Sequence, residues 1–176
     1  VNCAAIPSTL MESEIFGHIK GAFTGASYNK QGKLEIADEG TVFLDDVDTL
    51  DISMQAKLLR VIQEKEFERL GSTKIIKIDV RFIAASNKVI KDIALKEEFR
   101  EDLYYRISTV TLRVPPLRER QEDIAPLIEE IIKRVDPTGK TIFSSELVEY
   151  LLNLQWRGNV RELEHTVSRI IAFEGG

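Results

Sequence analysis

Two aspartates, Asp45 and Asp46, stand directly after Thr41-Val42-Phe43-Leu44, a β-branched and aromatic run that follows the turn residues Asp38-Glu39-Gly40. Such a run reads as a strand buried on both faces, hence part of a parallel sheet. Ligands of open α/β sheets bind beyond the carboxyl ends of their strands. Adjacent acids at that place have the chemistry to hold Mg²⁺ and to position a water for attack on a γ-phosphate. Acids are equally common in solvated turns, and spacing alone leaves the two readings level. Residues 79–85 form a second run of the same kind, ending at Ser86-Asn87. Asn87 there suits either a polar contact at the strand end or a cap on the next helix.

Cationic chemistry comes from three arginines. Arg100 and Arg106 are six apart, and at about 3.6 residues per turn they do not share a face of one straight helix. Either a helix end falls between them or they do different jobs. Guanidinium groups stay charged and donate bidentately to phosphate, whereas exposed arginines commonly pair with acids such as the neighbouring Glu101 and Asp102. Arg161 lies in Trp156-Arg157-Gly158-Asn159-Val160-Arg161-Glu162-Leu163, where Asn159 and Glu162 make a capping-box-like pair at a helix start. It sits beside the apolar stripe at the positive end of that helix, where a bound phosphate gains from both charges.

The remaining distinctive stretch is Gly21-Ala22-Phe23-Thr24-Gly25-Ala26, just after Glu14-Ile15-Phe16-Gly17-His18. Two glycines four apart free the backbone for a tight turn with Phe23-Thr24 at its tip. A Phe tucked back into the core is the plain alternative to an exposed tip.

The elements that must carry these residues follow from periodicity. Residues 10–16 read as a short helix with Ser8 or Thr9 as its N-cap. Met54, Leu58, Leu59 and Ile62 keep a helical stripe. Residues 67–70 and 75–78, split by Gly71-Ser72, predict a hairpin. Short helices over 90–95 and 100–105 lead to a third strand over 109–114, before Pro115-Pro116 ends the sheet region. Beyond it the pattern is helical, with stripes through Ile124–Val135, Leu147–Leu152 and Val160–Ile171. The expected class is α/β, with a parallel sheet core over 1–114, a linker over 115–120 and a small α-helical lid over 121–176.

Composition narrows the function. The chain has 176 residues, a net charge of −5 and a pI near 5.2, which disfavours sequence-independent DNA binding. One cysteine, Cys3, excludes an internal disulfide framework and suits a reducing cytoplasm, and with two histidines it makes a zinc cage improbable. No apolar run reaches the length of a membrane span. Gly139-Lys140-Thr141 mimics the end of a phosphate loop, but the first glycine of G-x-x-x-x-G-K-[ST] would fall on Arg134.

The Gly21–Ala26 run resembles the GAFTGA loop of sigma-54-dependent transcriptional activators, a branch of the AAA+ ATPases, and the likeness extends from Val1 to the last helix. It implies an incomplete AAA+ P-loop-type core, truncated at its N-terminus and lacking the Walker A segment, so that this chain alone would bind ATP poorly. Gly40–Asp46 is similar to the Walker B strand: Asp45 would hold Mg²⁺ through water, and Asp46 takes the catalytic acid's position, where the family has glutamate. Asn87 matches sensor I, and Asn2 the asparagine that contacts the catalytic acid and couples it to the loop. Arg100 and Arg106 match arginine fingers of a ring, hexamer or heptamer, and Arg161 matches sensor II. Gly40, Asp45, Asp46 and Arg161 are thereby assigned to the nucleotide. The implied cofactors are ATP and Mg²⁺, and the implied partner is sigma-54 of RNA polymerase, touched through Phe23 and Thr24. DNA would be bound only through a domain outside this chain. The shorter Asp46 also admits a regulatory interaction domain of the same fold that does not hydrolyse.

Overall fold

A computed structural model describes residues 1–139 and 141–174. The chain divides into two compact units, Val1–Thr111 and Leu112–Gly176, each with its own core.

In the first unit the elements run α1 (Ser8–Phe16), β1 (Gly17–His18), β2 (Lys30–Gln31), α2 (Lys33–Ile36), β3 (Thr41–Leu44), α3 (Ile52–Glu64), β4 (Glu66–Glu68), β5 (Ile75–Lys77), β6 (Arg81–Ala84), α4 (Ile90–Ala94) and α5 (Glu101–Ile107). Strands β3 and β6 are parallel and in register from Thr41 opposite Arg81 to Leu44 opposite Ala84. On the other side of β3 the first residues of the chain continue the pairing: Cys3 N donates to Asp45 O, and Asp45 N to Val1 O. β4 and β5 form the expected antiparallel hairpin. Helix α3 places Met54, Leu58 and Leu59 in the core, and its start is closed by Asp51, whose Oδ1 accepts from Met54 N at 2.8 Å.

Three expectations are corrected. Burial along β3 alternates, so Phe43 remains 48% exposed and Ile83 on β6 41%; among the described residues only one face of the sheet is covered, and a period of two replaces the continuous burial read from composition. Residues 109–114 form no strand, and Val110, Leu112 and Val114 are exposed, because among the described residues no strand pairs with their backbone. Helix α1 begins at Ser8 with Pro7 before it and no side-chain cap, since the pyrrolidine already fixes the entry φ.

The second unit packs α6 (Ile124–Val135), α7 (Ser145–Leu152) and α8 (Asn159–Glu174) around Leu117, Ile128, Leu151, Trp156, Leu163 and Val167. Trp156 is buried and donates its indole N–H to Leu151 O at 2.9 Å. Gly139 sits at positive φ in the segment between α6 and α7, and Thr141 is tied to Asp136, while Lys140 lies outside the described residues. Asn159 does not cap its own helix: its Oδ1 accepts from Leu117 N at 2.8 Å, while Glu162 reaches back to Gly158 N at 2.8 Å.

Candidate functional site

The parallel register of β3 and β6 sets Asp45, Asp46, Ser86 and Asn87 side by side at the carboxyl ends of the two strands. Asp46 has φ 52° and ψ 45°, a left-handed conformation uncommon for a residue with a Cβ. That turn brings the Asp46 carboxylate within reach of Asn87, whose Nδ2 lies 3.4 Å from Asp46 Oδ1. Asn2 Nδ2 lies 3.4 Å from Asp45 Oδ2, and Asn2 Oδ1 accepts from Ala5 N at 2.9 Å. The expected partner of Asn2 was the acid at position 46; its amide meets Asp45 instead, because the Val1–Cys3 backbone pairs with Asp45 itself.

Gly40 lies apart from the acids. It stands before β3, at the opposite end of the strand from the acids, with its carbonyl accepting from Arg81 N. Its part is to lead into the strand from the turn above Ala37, whose oxygen a Cβ at Gly40 would meet at 3.1 Å.

Asp48 and Gln55 were not singled out by sequence reasoning. The Asp48 side chain is 1% exposed, accepts from Ser86 Oγ at 2.6 Å and pairs with Lys88 Nζ at 3.3 Å. A buried carboxylate needs such compensation, and here it ties the turn after β3 to the turn after β6, fixing Asn87 between its two anchors. Gln55 is fully buried on α3; its Nε2 donates to Leu50 O at 2.7 Å and its Oε1 accepts from Arg100 N at 2.8 Å. A polar residue on an otherwise apolar helix face was the one available signal for it.

Arg100 precedes α5 as its N-cap residue and Arg106 lies in its last turn, so a helix start does separate them. Arg100 donates to both Asp102 oxygens, at 3.0 and 2.6 Å, and this pairing holds the Asp102 carboxyl below its ordinary value. Arg106 is exposed and, among the described residues, forms no salt bridge. Arg161 is likewise exposed, in the first turns of α8 of the second unit. Burial pushes the Cys3 thiol up to about 11, helped by the carboxylates of Asp46, Asp45 and Asp48. Such a thiol stays protonated near neutrality and is a packing group.

The loop is built separately. Antiparallel pairing of Gly17 with Gln31 and His18 with Lys30 closes its base. Within it Gly21 N donates to Ala26 O at 2.8 Å and Ala26 N to Phe23 O at 3.0 Å. Gly21 at φ 85° and Gly25 at φ 102° take conformations that favour glycine, and they let the chain reverse twice. Ala26 is buried, Thr24 is exposed and Phe23 is 39% exposed. The ring is therefore neither a free tip nor a core residue.

Among the described residues no group of three or more His, Cys, Asp or Glu side chains is arranged to hold a metal. Two strand-end carboxylates without further protein ligands match Mg²⁺, which retains waters and takes its remaining ligands from substrate phosphates. No helix among the described residues is long and apolar enough to cross a membrane.

Acids over the ends of a parallel strand pair, an asparagine facing one of them and a helical unit after the sheet are the parts of an AAA+ core and its lid. The sigma-54 interaction domain matches residues 1–113 and the AAA+ ATPase lid domain residues 118–176, and the chain belongs to the sigma-54 interaction domain family. It is 48% identical over 178 residues to the Nif-specific regulatory protein of Bradyrhizobium diazoefficiens, covering 100% of this chain and 31% of that protein. With the formate hydrogenlyase transcriptional activator FhlA of Escherichia coli it shares 49% identity over 180 residues, 100% of this chain and 26% of the relative. The chain thus spans about a third or less of these relatives. The crystal structure of NtrX from Brucella abortus in complex with ADP superposes with a TM-score of 0.90 at 34% identity, covering 100% of this chain and 39% of that one.

Proposed function

We propose that this chain is the ATP-hydrolysing, sigma-54-engaging part of a bacterial transcriptional activator working in the cytoplasm. Asp46 positions the attacking water and draws its proton, and Asn87 holds the Asp46 carboxylate in place. Asp45 would hold Mg²⁺ through water. When bound, Mg²⁺ neutralises charge on the nucleotide phosphates. Arg100 and Arg106 reach the nucleotide of a neighbouring subunit in a hexameric or heptameric ring, and Arg161 contributes a guanidinium to phosphate binding. The loop carries Phe23 as apolar anchor and Thr24 as hydrogen-bonding group to sigma-54, remodelling the closed polymerase complex. DNA is reached through another domain of the full-length protein. The observation that carries the reading is the 3.4 Å approach of Asn87 to the left-handed Asp46 at adjacent strand ends. Binding of ADP by the NtrX relative supports the nucleotide assignment.

No G-x-x-x-x-G-K-[ST] run occurs in the sequence, and this chain by itself is proposed to bind ATP weakly and turn it over poorly. A second reading, a domain that switches on nucleotide binding without hydrolysis, is favoured by one feature: Asp46 is a methylene shorter than glutamate. A shortfall of about 1 Å in a catalytic group costs roughly 10²-fold in rate. ATP hydrolysis by the full-length protein across a dilution series separates the readings. Specific activity that rises with concentration supports sites shared between subunits. Nucleotide binding with no turnover at any concentration supports the switch.

A further inference from the structure

His18 is buried in β1, at the base of the loop, and its two ring nitrogens have unequal surroundings. Nδ1 lies 2.8 Å from Ser13 Oγ on α1, itself buried, whereas Nε2 is sealed from solvent with no hydrogen-bond partner among the described residues. A buried imidazole normally satisfies both nitrogens, so packing alone gives a poor reason for histidine here. Two aromatic rings lie against the imidazole. Phe23 meets it edge to face at 5.1 Å between centroids with an interplanar angle of 71°, and Tyr28 flanks it at 5.8 Å. Both distances fall in the range in which such pairs attract beyond their buried area. Phe23 is the residue at the turn of the loop, Tyr28 lies on its returning limb, and both rings are substantially exposed otherwise.

We propose that His18 is a seat that holds Phe23 folded back against the domain, and that Phe23 must leave this seat to engage its partner. Ser13 fixes the imidazole plane from α1, so the seat is anchored outside the loop and stays when the loop moves. Among the described residues, the backbone hydrogen bonds from the loop to the β4–β5 hairpin are at its root, where Ile19 N donates to Leu70 O at 3.1 Å and Leu70 N to Gly17 O at 3.0 Å. Past that root Ala22 lies close to Gly71 in the turn of the hairpin, where an added Cβ would come within 2.8 Å of Ala22 Cβ, and for Phe23 itself the contact is the aromatic one to His18. His18 is thus a positioning residue for the loop, setting how much of the protein shows Phe23 extended. The proposal rests on the sigma-54 contact reading for its consequence but not for its geometry.

The test labels position 23 of the full-length protein with 4-fluorophenylalanine. In the wild type a fluorine–proton Overhauser effect to the His18 ring is expected, together with partial protection from a soluble paramagnetic relaxation agent. Its absence in the folded wild type overturns the seat without need of any variant. His18→Ala should raise the paramagnetic relaxation of the fluorine severalfold, and His18→Phe, which keeps an aromatic ring, should restore protection. Equal relaxation in the wild type and a folded His18→Ala protein also overturns the seat. The two readings fail separately. Wild-type sigma-54 affinity in Phe23→Ala removes the contact reading while the fluorine data still stand, and an unmoved fluorine signal removes the seat even if Phe23→Ala abolishes binding.

Discussion

Around Phe23 the contacts are short and closed: a paired base, turn hydrogen bonds of 2.8 and 3.0 Å and an aromatic neighbour on the domain. At the Asp45 and Asp46 carboxylates the amide contacts are long and open, although the Asp46 carbonyl accepts from Thr49 Oγ1 at 2.8 Å. Asn87 and Asn2 approach the acids at 3.4 Å, near the limit of a hydrogen bond, and Asp46 is held in a left-handed conformation. That backbone costs of order 1–3 kcal/mol and persists because Asp48, Ser86 and Lys88 brace the turns on either side. Loose polar contacts in a catalytic site tighten when the ligand arrives. The contrast teaches that the strand-end acids, proposed to meet the nucleotide, are the region left to be completed, while the loop is closed by its own short contacts.

The largest expected effect breaks the open end alone. Asp46→Asn should lower ATP hydrolysis by the full-length protein about 10²- to 10⁴-fold, the usual worth of a general base. Asparagine tolerates left-handed backbone, so stability should stay within about 0.5 kcal/mol. A steady-state rate and a denaturant titration check both halves. Breaking the closed end needs backbone. A Cβ on Gly17 would lie 2.4 Å from Lys30 O and 2.5 Å from Gly32 N, at φ 75°. Gly17→Ala should therefore destabilise the domain by about 3 kcal/mol, a steric clash added to strain, read as a lower denaturation midpoint.

The smallest effect sharpens the same comparison at the turn after the acids. Hydrogen bonds from Met54 N and Ser53 Oγ hold the Asp51 carboxyl below its ordinary value. Asp51→Ala should cost about 1 kcal/mol as a lost N-cap. With its folded pKa depressed, Asp51 contributes fully above the unfolded value of about 3.9 and loses the contribution as pH falls through the folded value. The stability gap between wild type and Asp51→Ala, measured by denaturation from pH 7 to pH 3, should narrow toward the acid end.

Much of this was legible in the chain. The acids announce themselves because an apolar run stops at them, and the loop because Gly21 and Gly25 mark two reversals. The hairpin and the helical stripes follow from local periodicity. What escaped depends on tertiary contact. The alternation of burial on β3 could not be read from a run of four apolar or β-branched residues. Residues 109–114 have strand composition, yet a strand exists only where a partner takes up its backbone groups. His18, Asp48 and Gln55 looked like ordinary polar residues, and only burial sets them apart. Asn2, expected at the acid of position 46, meets Asp45, and Asn159, expected as a helix cap, accepts from Leu117 N, because a short amide takes whichever group the backbone brings nearest.

The most direct test of separable ends is a paired assay on Phe23→Ala in the full-length protein, with ATP hydrolysis and sigma-54-dependent transcription measured on one preparation. The account predicts hydrolysis within about twofold of wild type, since Phe23 touches neither acid, and transcription reduced by two orders of magnitude or more, on the order of 3 kcal/mol of lost engagement. Equal loss of both activities would contradict it, placing Phe23 in the fold that supports the nucleotide site and not at a contact made by a separate, movable loop.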